Sequence, residues 1–168
     1  MPNPNPKITT CLWFDGQAAE AAAHYTSTFP NSYITEKTYY EGPEGGGHHG
    51  FERGSVKTVS FTLNGNAFTA INGGPIYTFS EATSFQIDCD NQDEVDYYFG
   101  KLCGGEDKVM ECGWCKDKWG VTWQILPKQL FKYMREGNAE QTGRIMAAMM
   151  KKEKIDVEAL KKAFEGAE

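Results

Sequence analysis

The residues with the most chemical content lie between positions 112 and 127, in the string CGWCKDKWGVTWQILP. It reads as a strand, a tight turn and a second strand that carries Gln124. A side-chain amide offers a donor pair and an acceptor but no charge, so it orients a polar ligand better than it holds a cation. Gln86 is a second amide of this kind, in a short strand-like run from Ser84 to Cys89. A buried amide must find partners, in a ligand or in neighbouring protein groups. Cys112 and Cys115 have the spacing of a metal or redox pair. A structural zinc would need a second pair at matching spacing, which Cys11, Cys89 and Cys103 do not supply. A thioredoxin-type pair belongs at a helix amino terminus, and this one falls in strand-like sequence. Two ordinary reduced thiols are therefore expected.

Other groups invite weaker readings. His48 and His49, with Glu44 and Glu52 nearby, sit in the glycine-dense loop 41–54, which reads as a lid over a ligand or, more simply, as a solvated loop. That loop lacks the spacing of a dinucleotide-binding motif and no amphipathic helix follows it. His24 falls on a helix face, where a structural or solvated role is the rule. Asp88, Asp90, Asp93 and Glu94 cluster at a strand end and a helix start, where the helix dipole accounts for most of them; Asp88 alone is placed to face a cavity. Trp13, Trp114 and Trp123 read as packing residues, with Trp114 also able to line a pocket mouth.

Those side chains need elements to position them. Residues 8–14 are apolar or Thr throughout and suit a buried strand. Asp15-Gly16 breaks it, and residues 17–29, with Ala18, Ala21, Ala22 and Tyr25 at helical spacing, predict a helix. Residues 33–40 read as a strand, 56–63 alternate as a half-buried strand, Asn64-Gly65 signals a tight hairpin, and 67–71 return. The order then recurs: a strand over 84–89, a helix capped from Asp90-Asn91, a short strand over 108–111, and a hairpin of 113–116 with 121–126. Both halves read strand, helix, strand, strand, strand. Residues 128–168 predict two or three amphipathic helices, with Ile145, Met149 and Met150 on one stripe and Asp156 as a cap.

The whole is 168 residues, enough for one domain with a substantial core, and its 40% hydrophobic and 24% charged residues are those of a soluble globular chain. No apolar run is long enough to cross a bilayer, and residues 1–7 carry no apolar segment of a secretory signal. Five cysteines without a signal point to reduced thiols and a cytoplasmic location. A net charge of -6 argues against nucleic acid as a partner.

An element order of βαβββ used twice resembles the vicinal oxygen chelate superfamily of glyoxalases, bleomycin-resistance proteins and extradiol dioxygenases. The opening string ITTCLWFDGQA, the strings FPNS, NGGP and SFQ, and the block from Cys112-Gly113-Trp114 to Trp123-Gln124 resemble its PhnB-like subgroup, as does the Met-bearing helical tail. Members of that subgroup are often labelled 3-demethylubiquinone-9 3-methyltransferase domain proteins. The resemblance implies an α+β fold: one domain over 1–168, with modules at 7–75 and 83–127 curving around a cavity and a helical tail over 128–168. It implies that Ile8, Thr10, Leu12 and Phe14, Ala70 and Asn72, Ser84, Gln86 and Asp88, and Thr122, Gln124 and Leu126 face that cavity, with Phe85, Ile87, Trp123 and Ile125 under helices. Leu12, Phe14, Asn72, Gln86, Trp114 and Gln124 are the expected ligand-lining residues.

The positions equivalent to metal ligands of the superfamily carry Ile8 or Thr10, Ser84 or Gln86, and Gln124, with neither His nor carboxylate among them. Neutral amides alone hold a divalent ion poorly, so neither a metal nor a cofactor is expected. The expected function is binding of a small organic molecule in an apolar cavity by a homodimer, for sequestration or for a metal-free rearrangement. The alternatives are a metal-dependent glyoxalase-type lyase or dioxygenase, a purely structural or interaction module, and, weakest, a methyltransferase; an S-adenosylmethionine fold would need alternating parallel strands and helices that the sequence does not offer.

Overall fold

The structure is a computed structural model in which residues 8–42, 50–150 and 153–167 are described. The chain divides into two units at Thr78 and Phe79. In the first, β1 (Thr10–Phe14), α1 (Ala18–Thr28), β2 (Tyr33–Tyr39), β3 (Val56–Leu63) and β4 (Asn66–Asn72) follow in order. Their sheet runs β1-β4-β3-β2, with β1 parallel to β4 and the other pairs antiparallel. Asn64 and Gly65, at φ 45° and 84°, make the hairpin between β3 and β4, a turn that demands positive φ at both positions.

The packing of this unit follows from the alternation in β3. Val59, Phe61 and Leu63 are buried and Thr58, Ser60 and Thr62 are half-buried on the other face. The helix α1 meets the apolar face with Ala18, Ala21, Ala22 and Tyr25, all fully buried. Three alanines bring the helix backbone close to the sheet, and Tyr25 packs on Phe61, which stacks on Phe68 at 5.4 Å. The start of α1 is held by Asn72, whose Oδ1 accepts from the Ala18 amide at 2.9 Å while its Nδ2 donates to the Val56 carbonyl at 2.9 Å. The Tyr40 hydroxyl donates to the Asn72 carbonyl.

The second unit contains β5 (Ser84–Cys89), α2 (Gln92–Leu102), β6 (Trp114–Lys116) and β7 (Thr122–Pro127), with sheet order β5-β7-β6. Here too the first strand is parallel to the last, β5 with β7, and β6 is antiparallel to β7. Asn91 caps α2 by accepting from the Glu94 amide. Phe85, Ile87, Trp123 and Ile125 share a face by register, with Trp123 and Ile125 buried, as expected for the side that packs against Val95 and Leu102 of α2. The short strand expected over 108–111 is reduced to a single bridge between Val109 and Cys115, flanked by 3-10 turns at Glu106–Lys108 and Glu111–Gly113. Its cause is local: Lys108 ends one 3-10 turn and Glu111 begins the next, so only Val109 and Met110 are extended between them, and left-handed Cys112 and Gly113, at φ 60° and 79°, bar continuation into β6.

The tail forms α3 (Lys128–Glu136), α4 (Ala139–Met150) and α5 (Val157–Glu165). Asp156 caps α5 through the Ala159 amide at 2.9 Å. Leu126 at the end of β7 joins Leu130, Ile145, Met149, Ile155 and Leu160 in one buried cluster, so the tail belongs to the second unit. The α+β class with a helical C-terminal segment stands as expected.

Candidate functional site

Register fixes which side chains stand together on the face of the second sheet that α2 leaves uncovered. Gln86 of β5 lies beside Gln124 of β7, which lies beside Trp114 of β6. The next row is Ser84, Thr122 and Lys116. Asp88 stands beside Leu126 at the far end of the face. Three of the six expected ligand-lining residues, Gln86, Trp114 and Gln124, therefore form one row across three strands. Gln86 and Asp88 are exposed, Gln124, Trp114 and Lys116 are half-buried, and Thr122 is buried. Leu126, expected on this open face, is instead covered by the tail cluster.

The polar groups of the row are only partly engaged. Gln124 Nε2 donates to Ser84 Oγ at 2.6 Å, and Gln86 Nε2 donates to Asp88 Oδ1 at 2.7 Å. Lys116 is matched by Glu81 at 2.5 Å, which holds the Glu81 carboxyl below the usual range through its hydrogen bond to the ammonium. Thr122 Oγ1 is buried with no hydrogen-bond partner. A buried hydroxyl without a partner costs on the order of 1–3 kcal/mol, so it marks a place where the fold is not self-sufficient.

The turn from β6 to β7 is built by Asp117. Its side chain is 1% exposed, Oδ1 accepts from the Trp119 and Val121 amides, and Oδ2 accepts from the Trp123 indole, each at 3.0 Å. This carboxylate fixes the hairpin that carries Trp114 and Gln124, and nothing in a sequence pattern distinguishes it from a surface turn Asp. Gly104 approaches the same turn so closely that a Cβ would lie 2.5 Å from the Lys118 amide nitrogen.

The other three expected residues are elsewhere. Leu12, Phe14 and Asn72 lie on the α1 side of the first sheet: Leu12 pairs with Ala70, Phe14 with Asn72, and the Asn72 side chain bonds to the first residue of α1. They are buried in the first unit, on the face of its sheet that α1 covers. Asn72 has spent its amide on backbone groups at both of its ends. The uncovered face of that sheet carries Cys11 and Trp13 in place of Leu12 and Phe14, beside Thr69 and Ile71, with Thr58 and Ser60 beyond. Trp13 lies over Gly73, where a Cβ would meet its ring at 2.0 Å, donates to the Gly74 carbonyl at 2.8 Å, and meets Tyr77 edge-on at 5.0 Å. The strand is apolar on both faces, so alternation within β1 could not set its phase. The pairing of Phe14 with Asn72, tied to α1, does.

Among the described residues no group of three or more His, Cys, Asp or Glu converges to hold a metal ion; His48 and His49 lie outside the described residues. Cys112 sits in the kinked turn and Cys115 is buried on the α2 side of β6, next to Cys103. Burial pushes the thiols of Cys89, Cys103, Cys112 and Cys115 up, Cys89 to about 12 with help from Glu94, Asp88 and Asp90, so these are poor nucleophiles at neutral pH. No helix among the described residues is long and apolar enough to cross a membrane.

Two modules that each set a first strand parallel to a last one define the class of the fold, and comparison with known proteins gives the family. Residues 6–126 match the family described as 3-demethylubiquinone-9 3-methyltransferase. A PhnB protein from Bacillus cereus is 34% identical, covering 73% of this chain and 99% of its own, with a TM-score of 0.58. A Pseudomonas aeruginosa protein is 16% identical over 73% of this chain and 98% of its own, at a TM-score of 0.54, and shares the fold. No curated protein matches the chain. The chain belongs to the PhnB-like family described as 3-demethylubiquinone-9 3-methyltransferase.

Proposed function

We propose that this protein binds a small organic molecule against the uncovered face of its second sheet, without a catalytic metal. The observation that carries the reading is the row Gln86, Gln124 and Trp114, which sets two amides and an indole side by side in one register. An aromatic surface beside a few oriented polar groups is the usual make-up of a small-molecule site. The donor set supports a metal-free site, since amides and hydroxyls dominate it and Asp88 is its one carboxylate. The methyltransferase in the family's description is the weakest reading, because a nucleoside cofactor would need a glycine-rich phosphate or ribose cradle, and among the described residues neither sheet end supplies one. We read the chain as a single domain of 1–168 in the cytoplasm. We also propose that it is a homodimer, in which exposed Met134, Met146, Met150 and Phe131 of the tail are covered by a second copy.

A thermal-shift screen of small organic molecules on the unmodified protein and on Gln124→Ala tests the binding reading. Compounds that raise the melting temperature of the first and not of the second are expected, because a ligand of the native state must stabilise it. A screen in which nothing raises either, or in which Gln124→Ala responds equally, overturns the reading. Elemental analysis of untagged protein showing a stoichiometric transition metal would overturn its metal-free part.

A further inference from the structure

The binding reading above leaves the chemical class of the ligand open, and resting on that reading we propose that the site takes an organic ammonium ion carried on an apolar or aromatic body. A carboxylate only accepts, so the Gln86 side chain must turn its NH2 toward Asp88 Oδ1, as it does at 2.7 Å. That orientation is forced, and it leaves Gln86 Oε1 as an acceptor. Gln124, its neighbour in register, likewise presents Oε1 once its NH2 has gone to Ser84. Neither oxygen has a hydrogen-bond partner among the described residues, and Asp88 retains its second carboxylate oxygen. Three acceptors therefore stand along one edge of the face, and what they lack is an N–H donor.

Charge points the same way. Around the Asp88 end, Asp88, Asp90 and Glu94 face a single cation, Lys128, which is already bonded to Asp90. At the other end Lys116 is neutralised by Glu81 and is not a spare cation for an anionic ligand. Trp114 supplies the aromatic surface on the far side of Gln124, roughly 10 Å from Gln86 at the usual strand spacing. An ammonium at the acceptors leaves its apolar or aromatic body to reach the indole, and a charge-assisted hydrogen bond is roughly twice as strong as a neutral one. The partnerless, buried Thr122 hydroxyl is an independent sign that this face is not completed by the protein alone; it stands on the same side of β7 as Gln124, two residues away.

Three probes of one skeleton separate the possibilities: 4-phenylbutylamine, 4-phenylbutanol and 4-phenylbutyrate, titrated by calorimetry into the intact protein and into Asp88→Asn and Gln124→Ala. The amine is expected to bind about tenfold tighter than the alcohol, a difference of about 1.4 kcal/mol, with the acid weakest. Asp88→Asn should erase the preference for the amine while leaving alcohol binding unchanged, and Gln124→Ala should weaken all three together. Alcohol or acid binding as tightly as the amine, and lost in Gln124→Ala, would overturn the ligand class but leave the binding reading intact. An amine preference that survives Asp88→Asn would mean attraction to the net charge alone and would also overturn the class. If none of the three binds, the class fails, and the broader screen decides the binding reading separately.

Discussion

Three N–H groups converge on the carboxylate of Asp117, and two of them are backbone amides. Asp117→Ala is expected to cost about 3 kcal/mol in urea unfolding, because a lost acceptor strands buried donors. Asp117→Asn should cost less, since it keeps one oxygen. Thr122 is the opposite case. Its hydroxyl is buried and partnerless, so Thr122→Val, nearly the same shape, should raise stability by about 1 kcal/mol in the same measurement. The thiol of Cys89 adds a pH effect. Its ionisation is pushed from the ordinary 9.0 to about 12, so between these values the unfolded thiol has lost its proton and the folded one has not. The unfolded state is then the one favoured by rising pH, and stability should fall from pH 9 upward. Cys89→Ala should lose stability less steeply over that range in parallel chemical denaturations.

At the scale of elements, the sequence was informative wherever its chemistry was one-sided. Val59, Phe61 and Leu63 against Thr58, Ser60 and Thr62 gave the phase of β3, and Asn64-Gly65 gave the hairpin. The phase of β5 and β7 was also legible, which is why Gln86, Gln124 and Trp114 fall in one row. β1 was not, because Cys11, Leu12, Trp13 and Phe14 are apolar on both sides, and only tertiary contacts choose. Leu12 and Phe14 consequently belong under α1, and Trp13 belongs on the uncovered face. The strand expected over 108–111 failed for a different reason: 3-10 turns take up Lys108 and Glu111, the second kinked at Cys112 with φ 60°, and composition does not announce either turn. The seat of Trp13 makes a test of the phase of β1. Gly73→Ala puts a Cβ 2.0 Å from the ring, so the indole must move. A loss of about 1–3 kcal/mol with a shift in tryptophan emission is expected. An unchanged spectrum would mean that Trp13 does not lie over Gly73.

For the whole molecule, a charge of -6 and the acidic end of the second sheet set a field that repels anions and gathers cations. The proposed association of two copies must act against that same charge, so apolar tail contacts have to supply it. Met146 and Met150 are 44% and 55% exposed, more than side chains of their kind need be in a finished assembly. Sedimentation at micromolar concentration should give twice the 18.8 kDa of one chain, and Met146→Glu with Met150→Glu should return it to one. A single-chain mass for the unmodified protein would remove the dimer.

The covering of Leu126 by α3, α4 and α5 also has a bearing on biosynthesis. Every strand of the first sheet has left the ribosome by Asn72, so that sheet can close while translation continues. The second sheet is translated through Pro127 yet keeps one greasy edge bare until Leu160, the last member of its cluster, has also emerged from the exit tunnel. During that interval of some tens of codons, the nascent chain displays an aggregation-prone patch, which is the period when a holdase would have most to shield.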